Sequence, residues 1–296
     1  MTSLTLLRKP HSQGRLNLRG LVPDRLLPLS CAEIEKLALD YSADSPGTVA
    51  DQFTLRDGDR DRLVIEGELS DCDYVAGGML SGELLIESDV GNYLASGMRD
   101  GRVVVSGNAG SYAAGDLRGG LVSVRGNVGC HAAAATPFAV RGMSGGELVI
   151  GGSADQFLGS RMRRGRVIVL GEVAAGCASR MIAGTIVLCG PVVLPLGYGM
   201  ARGTLMLLHP SDLIAERGVV GFTELESCEL SFLALLLQDI ATRLPAEQAA
   251  ELTSGKWLRG LGDRGVQGQG ELFIRQLSSP SPGEPWIGEE SRASGV

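Results

Sequence analysis

The side chains able to move protons or attack bonds are few in this chain, and they do not converge. His11, His131 and His209 fall in three separate regions, so no pair of them offers the acid and base of a hydrolytic site. The six cysteines (Cys31, Cys72, Cys130, Cys177, Cys189 and Cys228) are scattered singly, without the Cys-x-x-Cys or paired-His spacing of zinc and iron–sulfur sites. No Walker A sequence occurs. A glycosidase-type site needs paired carboxylates, but Asp71, Asp73, Asp89, Asp100, Asp116 and Asp155 fall in different columns of the pattern described below, mostly at turns. Arginine is the one reactive type that gathers: Arg99, Arg118 and Arg163 share one position of that pattern, Arg161 and Arg180 another, and Arg141, Arg164 and Arg202 lie close by. Guanidinium groups hold carboxylates and phosphates and do not exchange protons. Arg161, Arg163, Arg164 and Arg180 are therefore the candidate residues for meeting an anionic cofactor or an acidic partner, against the plain alternative of a solvated edge.

The pattern that positions them is an internal repeat. Six of the eight methionines recur as Met-x-x-Gly, at Met79/Gly82, Met98/Gly101, Met143/Gly146, Met162/Gly165, Met181/Gly184 and Met200/Gly203, with Leu117/Gly120 completing the series. The beat is about 19 residues, broken once by about seven extra residues between His131 and Arg141. After each glycine the second and fourth residues are aliphatic, as in Leu84/Ile86, Val122/Val124 and Ile186/Leu188, and a period of two predicts a strand. Leu63-Val64-Ile65 forms an earlier, degenerate unit.

One short strand per repeat cannot bury its own inner face, so successive units must stack. The expected fold is mainly β: a right-handed single-stranded β-solenoid of seven or eight coils. Five residues before each methionine stand Tyr74, Tyr93, Tyr112, His131 and Phe157, then Gly176 and Pro195, which predicts a ladder of stacked rings with His131 as one rung. The methionines read as core filler. Glu83 and Arg102, and Glu147 and Arg166, are expected to pair across adjacent strands. The middle residue of each strand (Leu85, Val104, Ser123, Val149, Ile168, Val187, Met206) faces outward yet is mostly apolar, so this stripe needs cover from the chain's own helix or from another protein.

The flanks leave the beat. Residues 1–60 are expected to cap the first coil, with a capping box at Ser30/Glu33 starting a helix near 31–38 and a strand at 51–56. The solenoid takes 61–209. A helical and strand cap takes 210–277, with an apolar helix over Glu229–Arg243 that includes Leu230, Phe232, Leu233, Leu235, Leu236, Leu237 and Ile240 and is stopped by Pro245, a short helix near 246–253 and a strand at Glu271–Arg275. Residues 278–296 are expected to form a flexible tail. A net charge of −7 disfavours a nucleic-acid partner, and no apolar run or leading signal segment points to a membrane or to export, so a cytoplasmic protein is expected.

The run Arg141-Gly-Met-Ser-Gly-Gly-Glu-Leu-Val-Ile150, with Gly159-Ser-Arg-Met-Arg-Arg-Gly165 and Arg180-Met-Ile-Ala-Gly-Thr-Ile-Val187, resembles the C subunit of formylmethanofuran dehydrogenase and of its bacterial relative, the formyltransferase/hydrolase complex. The similarity spans nearly the whole chain, including the late Gly268-x-Gly-Glu-Leu272. The resemblance implies a noncatalytic scaffold in a complex that converts formyl-tetrahydromethanopterin, by way of formyl-methanofuran, to formate. It implies three kinds of partner: an amidohydrolase-like metal subunit, a formyltransferase subunit and a molybdopterin-enzyme-like subunit. Methanofuran would be handled by the complex, and the metals would sit on the partners, with no cofactor on this chain. Two alternatives stay open: the C subunit of a tungsten or molybdenum formylmethanofuran dehydrogenase, and a free-standing β-helix enzyme acting on carbohydrate.

Overall fold

A computed structural model describes residues 3–10, 15–41, 47–137, 139–211, 214, 218–228 and 231–276. His11, Leu230 and the segment 278–296 lie outside the described residues. The fold is mainly β and is dominated by one mostly parallel sheet of 13 strands. Its centre runs Asp59–Glu66, Glu83–Ile86, Arg102–Val105, Leu121–Val124, Ser144–Ile150, Arg164–Val169, Thr185–Leu188 and Thr204–Leu207, each strand parallel to the one before. The register follows the repeat: Leu84 lies beside Val103, Val122 beside Leu148 and Val167 beside Ile186.

The repeats also stack away from this sheet. Leu69, Val90, Ala109, Val128, Ala154, Val173 and Val192 form a second row of parallel bridges. At the methionine corner a third row of backbone hydrogen bonds joins each turn to the last, as in Arg118 N–H to Met98 C=O at 2.8 Å and Arg163 N–H to Met143 C=O at 2.8 Å. The side chains between these rows make one core, in which Met79, Met98, Leu117, Met143, Met162, Met181 and Met200 are fully buried.

The motif Met-x-x-Gly has a contact that its spelling hides. The Met79 methyl meets not its own Gly82 but Gly101 of the following repeat, where an added Cβ would lie 2.6 Å from Met79 Cε. Gly101 also has φ +102°, in the region L side chains rarely adopt. The same methyl-under-glycine contact recurs from Met98 to Gly120 and from Met143 to Gly165.

The ring ladder forms as expected. Tyr74, Tyr93, Tyr112, His131 and Phe157 stack with centroids 4.6, 5.1, 5.0 and 5.1 Å apart. All five have φ between 57° and 63°, an unfavourable conformation for such residues that the shared stack helps to offset. Arg19 caps the first ring at 4.4 Å.

At the N-terminal edge, Ser3–Arg8 joins the sheet parallel to Asp59–Glu66, and Phe53–Arg56 pairs antiparallel with it. The Ser30/Glu33 capping box is present, but its helix covers only Cys31–Glu35. Leu37 then turns the chain into the strand Ala38–Tyr41. At the other edge Gly270–Arg275 continues the parallel register, Thr204 beside Glu271, before the antiparallel strands Trp257–Gly262 and Glu226–Cys228 close the sheet. Those last two strands are not signalled by the sequence.

The apolar helix spans Ser231–Ala241. It lies on the outer stripe: Leu233, Leu237 and Ile240 are buried together with Ile168, Val187, Met206 and Phe273. One face of the helix stays open, with Leu235 69% exposed. The helix is pinned at Glu147, which meets Arg166 at 3.4 Å and Arg243 at 2.9 Å, while Arg166 also reaches Asp239. The earlier half of the stripe (Leu85, Val104, Ser123) is not buried by the chain and stays half-exposed. The Glu83–Arg102 pair there, at 3.5 Å, is solvated and contributes little.

Candidate functional site: an arginine groove at the methionine corner

The corner after each methionine turns the chain outward, because the methionine is drawn into the core and the next residue must leave it. Arg118 and Arg163 occupy that position in their repeats. The single insertion adds Arg141, whose neighbour Gly142 donates its N–H to Arg161 C=O at 2.9 Å. Arg118, Arg141 and Arg163 thereby line one groove of about 580 Å³, with Asp116 and Ser144. Arg163 is shared with a second hollow of about 410 Å³, lined also by Arg164, Ile182, Ala183, Ala201 and Arg202.

Of the four candidate residues, Arg163 therefore lines both hollows and Arg164 the second alone. Arg161 and Arg180 stand exposed on the preceding turns, at φ 57° and 53°, and line neither hollow. Arg118, Arg141 and Arg202 take their place there. Among the described residues, none of these arginines makes an ion pair, whereas Arg166 on the neighbouring face is fully engaged. Thr136 of the insertion donates to Asp116 Oδ2 at 2.8 Å, and Asp116 Oδ1 is buried with no hydrogen-bond partner.

The groups capable of acid–base or nucleophilic work are committed elsewhere. His131 is held between Tyr112 and Phe157, and burial lowers its pKa, opposed by Asp155. His209 meets Glu251 at 2.9 Å beside the C-terminal helices. Burial pushes the Cys177 and Cys189 thiols up to about 12, and Cys72 higher still, so these thiols are poor nucleophiles. The string Gly142-Met-Ser-Gly-Gly146 has the spelling Gly-x-Ser-x-Gly, but Ser144 opens a strand instead of standing at a strand-to-helix elbow, and its hydroxyl faces Leu117 C=O at 3.4 Å. Among the described residues no three His, Cys, Asp or Glu side chains group so as to hold a metal ion.

The carboxylates and amides instead secure the turns, an arrangement the sequence reading missed. Asp89 Oδ1 accepts the Asn108 N–H, Asn108 Oδ1 accepts the Asn127 N–H, and Asn127 Oδ1 accepts the Ser153 N–H, at 2.7 to 2.8 Å. Hydrogen bonds from the Asn108 backbone N–H and then its side-chain amide hold the Asp89 pKa below the ordinary carboxylate range. The signal was present as Asp89, Asn108 and Asn127 on the same beat. Chemically, the groove can hold anions, while the surrounding acids are structural.

No family model matches the chain, and no curated protein does. A chain of the formyltransferase/hydrolase complex from Methylorubrum extorquens, crystallised in complex with methylofuran, is 38% identical to it, with a TM-score of 0.84. The alignment covers 92% of this chain and 100% of that one. No helix among the described residues is long and apolar enough to cross a membrane. The chain belongs to the family of that chain of the formyltransferase/hydrolase complex.

Proposed function

We propose that the protein is the noncatalytic scaffold of a cytoplasmic formyltransferase/hydrolase complex, which converts formyl-tetrahydromethanopterin through a formyl-furan carrier to formate. The observation that carries this reading is the match, over 92% of this chain, to one chain of such a complex. The commitment of His131, the buried cysteines and the turn carboxylates to the fold supports it. The stacked repeats of 61–209 wind as a right-handed β-solenoid, the hand favoured for parallel crossovers, between a cap at 1–60 and another at 210–277. The half-exposed stripe and the arginine corner, including Arg161, Arg163, Arg164 and Arg180, are the faces it offers to the assembly. An amidohydrolase-like metal subunit, a formyltransferase subunit and a molybdopterin-enzyme-like subunit are the partners. The carrier and the metals belong to them, and this chain binds no cofactor of its own.

Co-expression with those three subunits and purification through a tag on this chain tests the reading. A stoichiometric multisubunit particle is expected, and recovery of this chain alone would overturn it.

A further inference from the structure

Arg163 joins two hollows into one track, with Arg118 and Arg141 at one end and Arg164 and Arg202 at the other. Backbone hydrogen bonds at this corner stack the turns in steps, Ser144 on Leu117, Arg163 on Met143, Ile182 on Met162 and Ala201 on Met181. Four steps separate the turn of Arg118 from that of Arg202, roughly 19 Å at a strand spacing of about 4.8 Å. An extended peptide rises about 3.3 Å per residue, so about six residues span the track, with three side chains turned toward it.

We propose that this track docks an extended acidic segment of a partner polypeptide, whose carboxylates meet Arg118, Arg163 and Arg202. The inference rests on the scaffold reading above. Two observations lead to it. The guanidiniums along the track have no ion-pair partner among the described residues, in a chain whose net charge is −7 and whose Arg102, Arg166 and Arg259 are all paired. Cations placed in a row across stacked turns suit a chain of charges better than a single compact anion.

The test uses the full chain and a fluorescein-labelled hexaglutamate peptide, with hexaglutamine and inorganic phosphate as comparisons, read by fluorescence anisotropy. Salt-sensitive binding of hexaglutamate is expected, weakened more than about tenfold in the double variant Arg118→Gln/Arg163→Gln and unchanged in Arg125→Gln on another face. The same double variant should recover less partner protein when co-expressed. Equal binding by the double variant, equal binding of hexaglutamine, or competition by phosphate at the peptide's own concentration would each overturn the inference. So would full assembly with slowed turnover, which assigns the track to a small anionic carrier. If the wild-type particle forms but hexaglutamate does not bind, this inference falls and the scaffold reading stands. If no wild-type particle forms, both fall.

Discussion

A buried methionine in this protein reaches one repeat ahead, and the glycine it meets has no room for a side chain. At Gly120 an added Cβ would lie 2.6 Å from Gly101 C=O and 2.7 Å from the Met98 methyl, at φ +80°. Gly78 has a similar φ of +74° with nothing near it. Urea unfolding should therefore separate the two: Gly78→Ala is expected to cost about 1 kcal/mol for backbone strain alone, and Gly120→Ala about 3 kcal/mol because overpacking adds to it. Equal costs would mean that the methyl contact does not constrain the turn. His131 gives a second test. Burial lowers its pKa in the folded chain, so the unfolded chain binds the proton more readily. Its contribution is intact above about pH 6.5 and is lost as pH falls through the lowered value. His131→Tyr, which keeps the ring stack, should lose less stability than wild type between pH 7 and pH 5, followed by urea midpoints across that range.

The strands and the helix divide one apolar stripe between them. Val187 and Val104 occupy the same outward position, but Val187 is buried under the helix Ser231–Ala241 and Val104 is half-exposed. Val187→Ala should cost about 2 kcal/mol and Val104→Ala about 1 kcal/mol or less, measured by chemical denaturation. The alternation of Leu84/Ile86 and its fellows made the strands visible in the sequence, and the ring column made the ladder visible, because both follow the beat. Trp257–Gly262 was hidden because its pairing with Gly270–Arg275 is set by tertiary contact and not by a repeat. The groove was half visible: the sequence placed Arg163 and Arg164 at the corner, but only the path of the insertion brings Arg141 beside Arg118 while leaving Arg161 and Arg180 on the turns before.

As a whole, the molecule is a stack whose acids, amides, rings and thioethers hold its turns in register, and whose unspent features are surfaces: an arginine track and an uncovered apolar half-stripe. That division is what the proposed scaffold role requires, and it accords with membership of the family of a chain of the formyltransferase/hydrolase complex. The most direct check is formate release from the formyl-furan carrier, assayed with the isolated chain and with the purified complex containing it. The complex is expected to release formate and the isolated chain none; turnover by the isolated chain would contradict the scaffold role.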